Sequence, residues 1–182
     1  TTTIGGFHRI PAKKSLIRLL NNLEKTLRDA SWTASFFSSL EYPDLDTELE
    51  LISQAEGEGY TIYDGKTITS NKNGKTSVKS YKETIEEDVR GYSTAKFGMY
   101  NKRAVMVGAL ARIAINGKGL RSEAKRFVKK LNFNNPFHNN PAQSVEILHF
   151  HEEAIELITG LLKNGIDAAV VLPSADPPLK GI

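Results

Sequence analysis

The sequence predicts an α+β fold: two long packed helices, about 12–39 and 141–163, with a small antiparallel sheet and short helices. Three observations point there. Apolar residues recur at helix spacing near both ends of the chain. A middle stretch instead alternates β-branched or aromatic residues with polar ones, between turn dipeptides. The composition, 40% apolar and 25% charged, is that of an ordinary globular protein. At 182 residues the chain is long enough to bury a core as a single domain, 1–182, with a β-rich insertion at about 47–81.

The first helix is read over Pro11 to Ser39. Leu16, Leu19, Leu20, Leu23, Leu27 and Ala30 form its stripe, and Trp32, Phe36 and Phe37 extend it to a bulky aromatic end. Pro11 suits a first turn, where its missing N–H costs nothing, and "EYPD" ends the helix. From Leu49 to Tyr81 two to four strands are expected, with hairpin turns at Asp64-Gly65 and Asn73-Gly74 and an approach loop holding Gly57 and Gly59. Glu83 to Val89 reads as a short helix, "RAVMVGALARI" as mixed or extended, and "RSEAKRFVKKL" as another short helix beginning near Ser122. "NFNNPFHNNP" is a loop. Pro141 then opens the second long helix, whose wide apolar face (Val145, Ile147, Leu148, Ala154, Ile155, Ile158, Leu161, Leu162) asks for burial on more than one side; Gly165 is its left-handed cap.

Composition also excludes chemistry. The net charge of +3, with no Lys/Arg run interleaved with aromatics, gives no basis for nucleic-acid binding. "KSYKE" and "KRFVKK" read as solvated faces. There is no cysteine, so no disulfide, thiolate metal site, cysteine nucleophile or iron–sulfur ligation can come from these side chains. No apolar run reaches the roughly 18 residues of a membrane span, and a cytoplasmic, reducing setting is expected. The start at "TTTIGG" without Met and the stop at "LKGI" suggest a piece of something longer.

Candidate polar groups each have a plain alternative. In "HFHEE", His149 and His151 point to different sides of a helix, whereas His149 and Glu153 share one; ordinary helix polarity is the simpler reading, and no metal site is assigned. His8 and His138 stand alone, and "GEGY" lacks the strand–loop–helix context of a phosphate loop. Glu87, Ser93 and Lys96 either face one pocket or make a surface ion pair. Arg112, after an apolar run, reads as a structural arginine. Lys180, beside two prolines and a glycine, is either a cation on rigid backbone or a terminal residue without a role.

Taken together, "IGGF" (4–7), "SYKETIEEDVRGYSTAKF" (80–97), "VMVGALARI" (105–113) and "NPFHNNPAQSVEILHFHEEAIELI" (135–158) resemble the middle of the large (alpha) subunit of nickel–iron hydrogenases, of the soluble, bidirectional, cofactor-coupled type. The resemblance spans nearly the whole chain in order. It implies interconversion of H2 with protons and electrons at a Ni–Fe centre held by two CxxC pairs near the ends of the complete subunit. It implies as partners the remainder of the large subunit and an iron–sulfur small subunit. Neither CxxC pair is present, so the chain is expected to carry no cofactor and to be inactive alone, and to self-associate through surface that missing helices would cover. Glu87, Ser93 and Lys96 match the family's "E-x-V…S-x-x-K" segment and Arg112 its "VGxLAR" arginine, which implies interior groups bracing the site. Lys180 falls near the family's "APRG" arginine, although "PLKG" keeps the charge and loses the planar fork. The rival is a cysteine-free, hydrogenase-like module that folds alone as an interaction scaffold.

Overall fold

The computed structural model describes residues 11–165. The two long helices are there: α1 (Lys13–Phe37) and α5 (Asn139–Asn164). They pack along most of their lengths. Leu16, Ala30 and Ala34 of α1 are buried, as are Val145, Leu148 and Ile158 of α5, and Leu20, Leu23 and Leu27 are half-buried, whereas Leu19 of the same stripe stands 46% exposed at its edge. Pro11 precedes the capping residue Ala12 and stands just outside the first turn. Trp32 and Phe36 do not continue the stripe. They stack on each other on the far side of α1 (centroids 5.2 Å apart, planes at 11°), and Trp32 stays 64% exposed. Their offset from the leucines, read at 100° per residue, turns them to solvent.

The predicted sheet forms as β1 (Ile52–Ala55), β2 (Thr67–Ser70) and β3 (Lys75–Ser77), antiparallel in that order. Asn73-Gly74 does turn β2 into β3, with Gly74 at φ +74°. Asp64-Gly65 makes no hairpin. It lies in the long connection 56–66, where a Cβ on Gly65 would sit 2.7 Å from the Ala55 amide nitrogen.

The helix expected at 83–89 is a second correction. Only Tyr81–Thr84 is helical, as a single turn (α2); Ile85–Val89 is a strand, β4. It pairs antiparallel with β5 (Lys96–Tyr100), Ile85 opposite Tyr100 and Val89 opposite Lys96. A tight turn at Asn101 and Lys102, both at positive φ, leads to β6 (Arg103–Ala104). Partnering with "KFGMY" outweighs the local helix signal of "ETIEEDV", since strand formation is decided largely by cross-strand packing. Strand structure thus runs on to residue 104, beyond the expected end near 81. Tyr100, fully buried, joins Ile52 and Ile68 in a small core shared by the two sheets.

Helices α3 (Ala109–Asn116) and α4 (Ser122–Val128) close the main core, where Leu110, Ile113, Ala124 and Phe127 meet Ala34, Val145 and Leu148. "RAVMVGALARI" is therefore mixed, a strand end followed by a helix. Gly108, at φ +105°, begins α3, and Asn139 caps it: Leu110 N–H donates to Asn139 Oδ1 at 3.1 Å. Gly165 ends α5 at φ +84°, its N–H donating to Leu161 O.

Candidate functional site

Polar groups converge where α3, α5 and the loop before β2 meet. Glu146 lies on the buried side of α5, inside the apolar run "SVEIL". A carboxylate there must be paired. Arg112 supplies the pairing from α3 with both arms: Nε donates to Oε1 at 2.6 Å and Nη2 to Oε2 at 2.7 Å. Tyr60 Oη donates to the same Oε1, also at 2.6 Å. Burial, followed by the neighbouring carboxylate, pushes the Tyr60 phenol well above its ordinary range, so it stays a neutral donor. Its hydrogen bonds to Glu146 raise the Arg112 guanidinium further.

The loop that brings Tyr60 here is seated on Gly119. Any Cβ at Gly119 would collide with the backbone of Gly59 and Tyr60. Asn116, buried at the end of α3, donates through Nδ2 to Gln54 O (2.9 Å) and Thr61 O (3.3 Å), tying the same loop to β1. The Tyr60 ring packs edge-on against His149 at 4.6 Å. His149 is 1% exposed. Its Nδ1 accepts from Arg121 N–H at 3.1 Å, which places the ring proton on Nε2. Nε2 lies 3.2 Å from Glu153 Oε2 but is not aligned for a hydrogen bond. Burial holds His149 below the usual histidine range.

One turn on, Glu152 accepts from the backbone N–H groups of Glu123 and Ala124, both at 3.1 Å, so a side chain of α5 caps α4. Arg121 Nη1 reaches Glu156 at 2.6 Å. His151 turns the other way, to α1, with Nε2 2.8 Å from Leu23 O. The two histidines of "HFHEE" thus diverge, and His149 and Glu153 share a side, as their spacing predicts.

The expected site residues do not come together. Arg112 is in the network. Glu87 and Lys96 pair at 2.5 Å on the same face of the β4–β5 hairpin as Ile85 and Tyr100 but nearer its tip, 60% and 62% exposed at the side chain. Ser93 sits in the hairpin loop, its Oγ accepting from Ala95 N–H. Within the described residues Glu87 and Lys96 are exposed and Ser93 is half-buried, and none of the three bonds to the Arg112 network; alternation along β4 puts Glu87 on the face of Ile85, past the edge of the small core. Lys180, His8 and "IGGF" lie outside the described residues. Sequence reasoning missed Tyr60 and Glu146. The signal for Glu146 was present, a carboxylate within an apolar helical run; Tyr60 gave none, because a loop delivers it.

Chemically the cluster is closed. Glu146 is satisfied by three donors. No group of three or more His, Asp or Glu able to hold a metal ion occurs among the described residues.

No family model matches the chain. Over 161 residues, 85% of the chain, it is 34% identical to sulfhydrogenase 1 subunit alpha of Pyrococcus furiosus. Over 167 residues, 90% of the chain, it is 28% identical to sulfhydrogenase 2 subunit alpha of the same organism. The chain is homologous to the alpha (large) subunits of hydrogenases. This hydrogenase alpha-subunit homologue spans 37% and 38% of the lengths of those two relatives. Its own donor set does not fit the Ni–Fe centre that the family implies: it has no thiolate to offer, and no carboxylate–imidazole group takes that place among the described residues.

Proposed function

We propose that the chain is the central segment of the large subunit of a soluble nickel–iron hydrogenase, where it frames the catalytic region without ligating the metals. One observation carries this reading: similarity runs along 85% of the chain, while the chain accounts for 37% of the relative and holds no cysteine. On this reading H2 oxidation and proton reduction belong to the complete subunit, with an iron–sulfur small subunit as partner and the cytoplasm as location. No helix among the described residues is long and apolar enough to cross a membrane, which accords with a soluble assembly.

The role of the segment is then mechanical. The Arg112–Glu146–Tyr60 network locks α3 to α5 and sets the loop before β2. The Glu152 cap and the Arg121–Glu156 pair fix α4 on α5. Glu87, Ser93 and Lys96 are assigned to a face of the hairpin that meets other parts of the enzyme, and Lys180 to the position of the family's arginine.

Two measurements test the reading. The purified 182-residue chain is expected to carry no nickel above the buffer blank by elemental analysis and to reduce no dye under H2; stoichiometric nickel or turnover overturns it. Genomic sequence on either side is expected to continue in frame to CxxC pairs upstream and downstream. A start codon just before Thr1 and a stop just after Ile182 would instead favour the self-contained scaffold.

A further inference from the structure

Helix α5 has a third side that the described chain covers only in part. Ile147, Phe150, Ala154, Leu157 and Leu161 follow one another at intervals of three, four, three and four residues, the spacing of an a/d seam. This line is distinct from the sides of α5 already in use. Leu148 and Ile158 are buried, and His151 bonds to α1; Val145 lies in the main core, and Glu152 caps α4. Along the seam, Ile147, Leu157 and Leu161 are 54%, 61% and 43% exposed; Phe150, whose ring meets Tyr60 edge-on at 6.1 Å, and Ala154 are half-buried. Single exposed leucines are common on protein surfaces, but an apolar line kept in register over four turns is not. Leu19, 46% exposed, stands seven residues before Thr26, whose hydroxyl touches His151. By helix period it therefore lies on the flank of α1 next to the seam, and the two helices together make a trough.

We propose that this trough is the seat of a third α-helix, and that its occupant comes from the part of the same subunit lying outside this chain. Knobs spaced every three and four residues match the ridges of a helix crossing at a shallow angle of about 20°; a strand, with its period of two, does not follow them. The source follows from length. The relatives continue well beyond the matched segment, of which they devote 37% and 38% of their residues. This inference rests on the reading of the chain as a subunit segment.

The test uses Leu157→Lys on the seam and Thr159→Lys as an exposed control on another side of α5. In the 182-residue chain both variants are expected to keep the parent melting temperature, since neither side chain is buried there. If Leu157→Lys lowers it, Leu157→Gln takes its place. In the complete subunit, built from the in-frame genomic sequence, the Leu157 variant is expected to give several-fold less soluble folded subunit than the Thr159 variant. Equal yields overturn the docked helix while leaving the subunit reading intact. If the reading frame ends with this chain, the subunit reading fails and the proposed occupant fails with it. A dimer of the parent chain in sedimentation that Leu157→Lys dissociates would then assign the seam to a second copy.

Discussion

Arg112–Glu146 and Lys96–Glu87 are both cation–carboxylate pairs with their atoms 2.5–2.7 Å apart, and they do different things. The first joins two helices, engages both arms of a guanidinium and shares its carboxylate with a half-buried phenol, and the Glu146 side chain is 8% exposed. The second spans two neighbouring strands of a hairpin, through one flexible ammonium, with both side chains mostly in water. Distance is the same; desolvation and the number of dependents are not. Breaking the first leaves three half-buried donor groups without their acceptor, whereas breaking the second returns two charges to solvent.

The largest expected effect tests the buried member. Glu146→Ala should cost about 3–5 kcal/mol in unfolding free energy, the range for removing one partner of a buried pair. Urea unfolding measures it, and a loss under about 1 kcal/mol would erase the contrast. The middle effect concerns the neighbour, His149. Its folded-state pKa is depressed below the ordinary 6.5, as is that of His138, so the unfolded chain binds more protons as the pH falls through that region. Stability is complete above the unfolded value and falls as the pH drops below it. The structural event is loss of the Nδ1 acceptor for Arg121 N–H. Unfolding curves between pH 7.5 and 5 should show this decline, and His149→Asn, which keeps an acceptor but does not titrate, should lessen it to the share of His138; an unchanged slope would remove His149 from the account. The smallest effect belongs to the exposed pair. Glu87→Gln should change stability by less than about 1 kcal/mol, and by still less in high salt. A larger loss would show that the hairpin face is not the solvated surface described above.

How far the sequence reached depends on what each element needs. The long helices were legible because their stripes are local and periodic, and Gly165 and Gly74 because positive φ selects glycine. Ile85–Val89 was misread as helix because its strand state depends on "KFGMY" across the hairpin, and no local pattern announces that pairing. Trp32 and Phe36, expected to extend the stripe, turn outward because their angular position lies opposite the leucines. At the candidate site, Arg112 was found and its partners were not. Tyr60 is 86 residues from Glu146 in the chain, and the packing of Gly119 against the loop, with the Asn116 hydrogen bonds, brings it there.

The sequence by itself determined two long amphipathic helices, a β-rich middle and the absence of any sulfur ligand, because periodicity and residue chemistry are properties of the chain alone. Tertiary structure decided which charges became a brace and which a surface pair, and left one side of α5 open. Burial and dielectric environment are set by distant segments, and the strength of a charge pair follows from them rather than from the identity of its residues.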